Sequence, residues 1–382
     1  MARFPFFTAE HELFQRTVND FVDQHCPREY VRECDQQRCY PYAFYAKVAE
    51  QGWFGLPLPE AYGGANADVI YLTILSELLA KNSFDISAGY SMIVWGAMKV
   101  ARFGTEEQRQ HYLPRVVTGE QRFSLSMTEP GAGSDAAALI LRATEDGDHW
   151  VLNGNKVFST GADARGNTII VAGRTDNTGP KHRGVTLFLV DNTTPGLELR
   201  RLPTLSRRTL GTNEGFYTDV RVPKTRVLGE LHNGWRPLME YLEIERVGGA
   251  AMYMGSAQTA VSDALRYAKE REQFGQPIGK FQVIQHMLAD MQTEVDAARL
   301  VTYQAAWLLN EGIRCRKEAS MAKLYASETL LKVATQGMQI LGGYAQLPEY
   351  DMERYWRDAK QATVGGGTSQ IQRNIIAKEL GL

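Results

Sequence analysis

Cysteine is scarce, at four in 382 residues, too few for a disulfide framework to hold a chain of this size together. Cys26, Cys34 and Cys39 lie near one another, but their spacing fits no common zinc pattern and no histidine pair completes a tetrahedron, so no metal site is expected. An excess of charge is also lacking. Lys and Arg number 42 against 44 Asp and Glu, a formal net charge of -2, which gives no reason to expect binding to nucleic acid or to an anionic membrane. No apolar run approaches the roughly 20 residues of a membrane-spanning helix. The opening Met1-Ala2-Arg3-Phe4-Pro5-Phe6-Phe7 has neither a signal-peptide cleavage pattern nor an Arg-rich amphipathic presequence, so a cytoplasmic location is expected.

What is present is a soluble, globular composition, 44% hydrophobic and 23% charged, on a chain longer than one ordinary core, so two or three packed units are expected. Three zones differ in texture. Over 1–120 the pattern is helical. Leu13, Phe14, Val18, Phe21 and Val22 recur at three- and four-residue intervals behind a candidate N-cap, Thr8. The largely apolar stretch from Val69 to Val100, broken near Lys81-Asn82-Ser83, predicts two buried helices. Over 121–232 the pattern turns to β-branched runs such as Thr168-Ile169-Ile170-Val171 and Val185 to Val190, with turn signals at Asp146-Gly147, Asn153-Gly154 and Pro195-Gly196. This predicts a small barrel or sandwich. Over 233–382 long periodic helices are predicted for Trp235 to Phe274, Phe281 to Asn310 and Lys317 to Leu341, the last stopped by Gly342-Gly343, with a short one from Arg354 to Ala362. Helices, a β unit, then helices is an α+β layout.

Three motifs carry the chemistry. Met127-Thr128-Glu129-Pro130-Gly131-Ala132-Gly133-Ser134-Asp135 is a glycine-rich loop that can bring N–H groups and hydroxyls close to a ligand. Arg271-Glu272-Gln273-Phe274-Gly275 reads as the C-terminus of a long helix, where a cation is favoured by the dipole. Gly365-Gly366-Gly367-Thr368-Ser369-Gln370 is a second glycine run. On the helix around Glu245, residues Leu238, Tyr241, Leu242, Glu245, Gly248, Gly249 and Met252 share one stripe, which predicts Glu245 buried among apolar side chains. The plainer alternative is a surface glutamate, or one paired with Arg246. Tyr90, Trp95 and Met98 read as core packing, and His286 as an ordinary helix residue.

Together the three motifs resemble the flavin-dependent acyl-CoA dehydrogenase family, along nearly the whole chain. The resemblance implies an N-terminal helical domain over 1–120, a middle β-barrel domain over 121–232 and a C-terminal four-helix bundle over 233–382. It implies a bound FAD, an acyl-CoA substrate, electron-transfer flavoprotein as electron acceptor, and a homotetramer. The positions of Leu125, Met127 and Thr128 lie beside the isoalloxazine ring in the family, with Gly133 and Ser134 reaching flavin or the acyl-CoA phosphates. Phe158 and Thr160 match an aromatic residue and a threonine against the flavin, with a cross-strand core aromatic the lesser alternative for Phe158 alone. Arg271, Phe274, Gln339, Gly342 and Gly343 match elements that serve the FAD of a neighbouring subunit, and Thr368 and Gln370 match further FAD contacts. The family commonly continues past Tyr344 with glycine, where this chain has Ala345; a positive φ there would cost on the order of 1 kcal/mol.

At one position the chain departs from the pattern in a way that bears on the reaction. The family's usual catalytic glutamate is Gly366 here, which can supply a backbone N–H to a thioester carbonyl but no base. Members lacking that glutamate, such as the isovaleryl and long-chain types, carry the base at the helix position of Glu245, before an arginine matching Arg246. Tyr241, Arg246, Gly367 and Ser134 are the matching substrate-binding candidates. Cys34-Asp35-Gln36, Tyr40-Pro41 and Trp356-Arg357-Asp358 are similar to bacterial crotonobetainyl-CoA reductases, which would imply the reverse reaction. Ile86, where dicarboxylyl-specific members place an arginine, argues against a distal carboxylate on the substrate. A DNA-associated flavoprotein of the same fold would call for a basic extension after the bundle, which is not seen before Leu382.

Overall fold

The computed structural model describes residues 4–382. In chain order the elements are α1 (Ala9–His25), α2 (Arg28–Gln37), α3 (Tyr42–Glu50), α4 (Val69–Leu79), α5 (Phe84–Phe103) and α6 (Glu106–Val117), then β1 (Arg122–Ser126), β2 (Arg142–Asp146), β3 (His149–Thr160), β4 (Asn167–Arg174), β5 (Val185–Asp191), β6 (Leu197–Arg201), β7 (Thr212–Pro223) and β8 (Val227–Leu228). There follow α7 (Trp235–Glu240), α8 (Leu242–Glu270), β9 (Glu272–Gln273), β10 (Gln276–Pro277), α9 (Gln282–Asn310), α10 (Arg316–Leu341), α11 (Met352–Ala362) and α12 (Ser369–Glu379). They fold into two compact units. One holds the described residues up to Gln36 with Asp68–Ala88 and Glu243–Leu382; the other holds Gln37–Ala67 and Gly89–Leu242. Among the described residues, no helix is long and apolar enough to cross a membrane.

The second unit is built on an eight-stranded sheet in the order β6-β7-β3-β2-β4-β5-β8, with β1 pairing β4 in parallel. The sheet rolls over one apolar cluster that takes Leu152 from β3, Val171 from β4, Phe188 from β5 and Val220 from β7. Trp150 and Phe188 meet across it at 6.0 Å although their strands are not neighbours, which gives the barrel-like shape. Asp146-Gly147 makes a turn as expected, Gly147 taking φ +59. Asn153-Gly154 does not. β3 runs through it as a bulge, since Asn153 exchanges hydrogen bonds with Asp219 on β7 and the backbone swings out at Gly154, φ +146.

The other unit is helical and joins segments far apart in sequence. Thr8 caps α1 through a capping box with His11, and Asp68 caps α4. Helix α8 passes α4 so closely that a Cβ on Gly255 would lie 1.9 Å from the Glu77 carbonyl oxygen, so only glycine fits there. A buried polar network completes the packing. Asp351, in left-handed backbone (φ +59), receives Arg32 at 2.7 Å and Arg354 at 2.9 Å. Arg354 reaches the Asn82 carbonyl at 2.8 Å, and Arg28 and Tyr355 both donate to Asp263. Arg357 pairs with Asp35 and Glu353. The helix expected from Trp235 to Phe274 breaks at Tyr241 and stops at Glu270, because Tyr241 N–H bonds back to the Met239 carbonyl and the segment past Arg271 turns into a hairpin.

Burial raises Asp351's pKa, but Arg32 and Arg354 outweigh it and hold the carboxyl below its usual range. Replacing Arg354 with Leu would remove one of the arginines that neutralise this buried carboxylate, leaving Arg32, with an expected loss of about 3 kcal/mol, read as a fall in thermal midpoint. Asp358 is the opposite case: burial, then neighbouring Asp85, raise its pKa well above normal despite Arg357. A raised folded-state pKa means full stability below the unfolded value near 4 and progressive loss as pH rises above it. Asp358→Asn is therefore expected to gain thermal midpoint relative to the parent between about pH 4.5 and about pH 7.5.

Candidate functional site

In the β unit, the end of β1 and the middle of β3 are sewn together. Val157 N–H donates to the Thr128 carbonyl at 2.9 Å, and the Ser126 and Ser159 hydroxyls meet at 2.7 Å. Leu125, Met127, Thr128 and Thr160 are thereby brought side by side, each half-buried. Phe158 stands out of this wall. It sits on the β3 bulge between Lys156 and Ser159 in left-handed backbone, φ +61, and is 61% exposed. The core-aromatic alternative for Phe158 is thus overturned: the bulge flips its ring to the outside. Beyond Thr128, open space lies beside Gly131 and Gly133, and Ser134 is exposed.

Two residues that the sequence reading passed over hold this wall. Glu129 is 4% exposed and accepts the backbone N–H groups of Ile140 (2.7 Å) and Leu141 (2.8 Å). Lys156, fully buried, donates to Glu129 at 2.8 Å and to the Met127 carbonyl at 3.0 Å. Burial lowers the Lys156 pKa to about 8, with Glu129 opposing the shift. The signal available in the sequence was a lysine as the lone Lys, Arg, Asp or Glu in the strand His149–Thr160.

In the helical unit, Gly366 (φ +66) and Gly367 (φ +89) form a left-handed loop that feeds into α12, capped by Thr368. Among the described residues, the backbone N–H groups of Gly366, Gly367 and Thr368 have no acceptor. Gln370 is exposed on the first turn of α12. Lys323 on α10 is 2% exposed and donates to the Gly367 carbonyl at 2.7 Å; Gln372 donates to the same carbonyl at 3.1 Å. Burial, then the nearby Arg246 charge, lower the Lys323 pKa to about 8. Lys323 could have been found by the argument applied to Glu245, since it interrupts the apolar stripe of Ala319, Ala322, Ala326 and Leu330.

Glu245 lies in the first turn of α8 and is half-buried rather than buried. The reason is the break at Tyr241: Leu238 and Tyr241 precede α8, so the apolar stripe begins only with α8 itself and Glu245 stands near its open end. Arg246 is the buried member, at 8% exposure, with its Nε lacking a partner among the described residues. Burial, then Arg316, lower its pKa, opposed by Glu243 and Glu245. Tyr241, in the other unit, packs edge-on against Phe103 with Lys99 Nζ 5.7 Å from its ring centroid.

Arg271-Glu272-Gln273-Phe274-Gly275 is not a helix end but a hairpin. β9 and β10 pair across a two-residue loop in which Phe274 (φ +53) and Gly275 (φ +78) are both left-handed, the type I′ geometry. Phe274 at its tip is 95% exposed. Arg271 lies over the Tyr344 ring at 5.6 Å, and Arg271, Gly342, Gly343 and Tyr344 line a depression of about 410 Å³ with Tyr267 and Leu347. Gly342 (φ +61) makes the stop after α10, and Gln339 is exposed on the last turn of that helix. Ala345 is buried and does not take positive φ, so its methyl is no obstacle to the turn.

Residues 8–120, 124–220 and 232–381 match, in that order, the N-terminal, middle and C-terminal domains of acyl-CoA dehydrogenase. The chain is 38% identical to a 3-(aryl)acrylate reductase of Clostridium sporogenes, over 98% of this chain and 99% of that one. It is 35% identical to the caffeyl-CoA reductase-Etf complex subunit CarC of Acetobacterium woodii, over 97% and 98% of the two chains. The solved structure of butyryl-CoA dehydrogenase from Megasphaera elsdenii matches with a TM-score of 0.93 at 32% identity, covering 100% of both chains.

An aromatic residue at 95% exposure in left-handed backbone is strained and uncovered, so its removal from the isolated chain should be harmless. Phe274→Asn suits a type I′ turn better. It is expected to leave the thermal midpoint unchanged or raised by a few degrees, read by differential scanning fluorimetry.

Proposed function

The chain belongs to the acyl-CoA dehydrogenase family, oxidoreductases acting on CH–CH groups, and from that premise we propose that it desaturates an acyl-CoA thioester between its α and β carbons and delivers the electrons to an electron-transfer flavoprotein. The observation that carries this reading is the donor loop at Gly366–Thr368, whose backbone N–H groups have no acceptor among the described residues, in the same unit as Glu245 of α8.

The family is FAD-dependent, and the residues present fit that group. Phe158 and Phe274 are exposed rings in strained backbone, and a Cβ at Gly131 or Gly133 would meet only open space, as suits a large flat ligand with phosphates. In this reading Leu125, Met127, Thr128, Phe158 and Thr160 wall the ring, with Gly133 and Ser134 nearby. Arg271, Phe274, Gln339, Gly342 and Gly343 would serve the FAD of a neighbouring copy, Arg271 offering a planar fork to the pyrophosphate, and Thr368 and Gln370 would add contacts from α12. When bound, FAD supplies the acceptor for the β-hydrogen as hydride.

The chain's own residues do the rest. An α-proton is too weakly acidic to remove until donors polarise the thioester carbonyl. The backbone N–H of Gly366 is the protein donor, a role that needs no side chain. Glu245 takes the α-proton. Arg246, Tyr241, Gly367 and Ser134 position the thioester and its CoA portion. The three domains over 1–120, 121–232 and 233–382 would assemble as a cytoplasmic homotetramer, which the trans contacts require.

A second reading, reduction of an enoyl-CoA by the same residues in reverse, is favoured by the two reductases among the relatives. Initial rates of acyl-CoA oxidation and enoyl-CoA reduction, measured on one preparation, separate the two.

Purified protein is expected to be yellow, with a flavin absorption spectrum; protein that folds yet neither carries nor takes up flavin would end the enzyme reading. Glu245→Gln, nearly isosteric, is expected to keep fold and flavin and to slow anaerobic flavin reduction by at least roughly a hundredfold. Near-parental reduction would exclude Glu245 as the base. Gly366→Glu in that background meets open space but a left-handed φ of +66, so it is expected to restore activity only in part, at a cost of about 1–2 kcal/mol in stability.

A further inference from the structure

Lys323 is an unusual side chain to find where it lies. It is 2% exposed on the buried stripe of α10 and has no carboxylate within ion-pair distance among the described residues. Its hydrogen bond goes to a single backbone carbonyl, that of Gly367, at 2.7 Å. A desolvated ammonium is an expensive way to satisfy one carbonyl, since a neutral donor would do so at lower cost. Gln372, itself fully buried, already reaches that carbonyl at 3.1 Å and the Gly366 carbonyl at 3.3 Å.

The geometry of the peptide group gives the ammonium a purpose. A trans peptide sets its C=O and its N–H on opposite sides. With the Gly366 carbonyl turned to Gln372, the Gly367 N–H faces away from Gln372. With the Gly367 carbonyl held by Lys323, the Thr368 N–H likewise faces away from Lys323. The N–H groups of Gly366, Gly367 and Thr368 are the ones left without an acceptor among the described residues. Left-handed φ at both glycines makes this stretch soft, because glycine resists neither sign of φ. Something must hold it, and the anchors on the protein side are Lys323 and Gln372. A hydrogen bond from a cation also polarises the peptide it grips, strengthening the N–H at the other end.

We propose that Lys323 is a positioning residue for the reaction: by clamping the Gly367 carbonyl it holds in place the loop that presents the Gly366 N–H to the thioester carbonyl. The inference rests on the reading of Gly366 as a carbonyl donor. Lys323 touches neither substrate nor cofactor in this assignment; it acts through the loop. It is also where the loss of the usual glutamate has a consequence, since a glycine at 366 leaves the loop with less side-chain anchoring of its own.

The test compares the parent with Lys323→Met and Lys323→Gln as flavin-loaded protein. Three quantities are read: the rate at which bound acyl-CoA exchanges its α-hydrogens for deuterium in D₂O, the rate of anaerobic flavin reduction, and the acyl-CoA dissociation constant. Lys323→Met is expected to slow α-exchange and flavin reduction together by about tenfold or more, the low side of losing an oxyanion donor, with the dissociation constant changed less than about threefold. Lys323→Gln, which keeps an uncharged donor, is expected to fall between, and it carries the comparison alone if the Met variant does not fold. A merely structural lysine would instead lower thermal midpoint and flavin content while the loaded fraction exchanged at the parental rate, and that result overturns the proposal. Parent protein that neither exchanges α-hydrogens nor reduces its flavin with any acyl-CoA tested would sink the functional reading itself, a failure distinct from parental rates in the variants.

Discussion

Asp351 is the point from which the helical unit is hung. Its side chain is shielded from solvent, its backbone is left-handed, and it gathers Arg32 from α2 and Arg354 from α11. Burying a carboxylate is strongly unfavourable unless it is fully paired, so these arginines cannot leave without unfolding the neighbourhood. Arg354 in turn holds the Asn82 carbonyl, and Asn82 holds that of Cys26 at 2.9 Å. One charge therefore ties together three stretches of chain, around residues 26–32, 82 and 351–354. It also fixes the start of α11, and α11 leads directly into the glycine loop. The loop's place is inherited from this network.

A glycine where the family usually carries its base alters the electrostatics around the loop as well as the chemistry. Lys323 and Arg246 are both buried cations, each lowering the proton affinity of its surroundings, and position 366 carries no carboxylate to balance them. Glu243 and Glu245 of α8 oppose the shift on Arg246, and Glu328 of α10 opposes that on Lys323. In the proposed assignment the base stands on helix α8, a rigid element, rather than on soft loop backbone, which suits a group that must stay aligned with a reacting bond. The loop is then free to act through its backbone alone, provided that side chains behind it keep it still.

Phe158 and Phe274 share a physical signature. Each is a bulky aromatic in left-handed backbone and each is exposed, so each carries strain of about 1–2 kcal/mol with no burial to offset it in the single chain. Strain of this sort persists only where surrounding structure enforces it. For Phe158 the β3 bulge does so, flanked by the buried Lys156–Glu129 pair; for Phe274 it is the two-residue hairpin loop. Both rings are presented outward on rigid frames, as side chains awaiting a flat partner would be.

Sequence by itself determined the order of helices, strands and helices, because periodicity and turn chemistry are local. The stops near Lys81-Asn82-Ser83 and at Gly342 and the cap at Thr8 were legible for the same reason. The three motifs also marked the candidate site residues, and the substitution at Gly366 could be seen without coordinates. What only the tertiary structure decided depended on partners distant in the chain. Asn153-Gly154 reads as a turn until Asp219 draws it into a bulge; core packing stays open for Phe158 until that strand's second irregularity turns it out; the Phe274 hairpin reads as a helix end until its two strands pair. Glu245 reads as buried until the break at Tyr241 shortens its stripe. Lys323 and Lys156 read as plain charges until burial leaves each with a backbone carbonyl to hold, and no local pattern records which carbonyl that is.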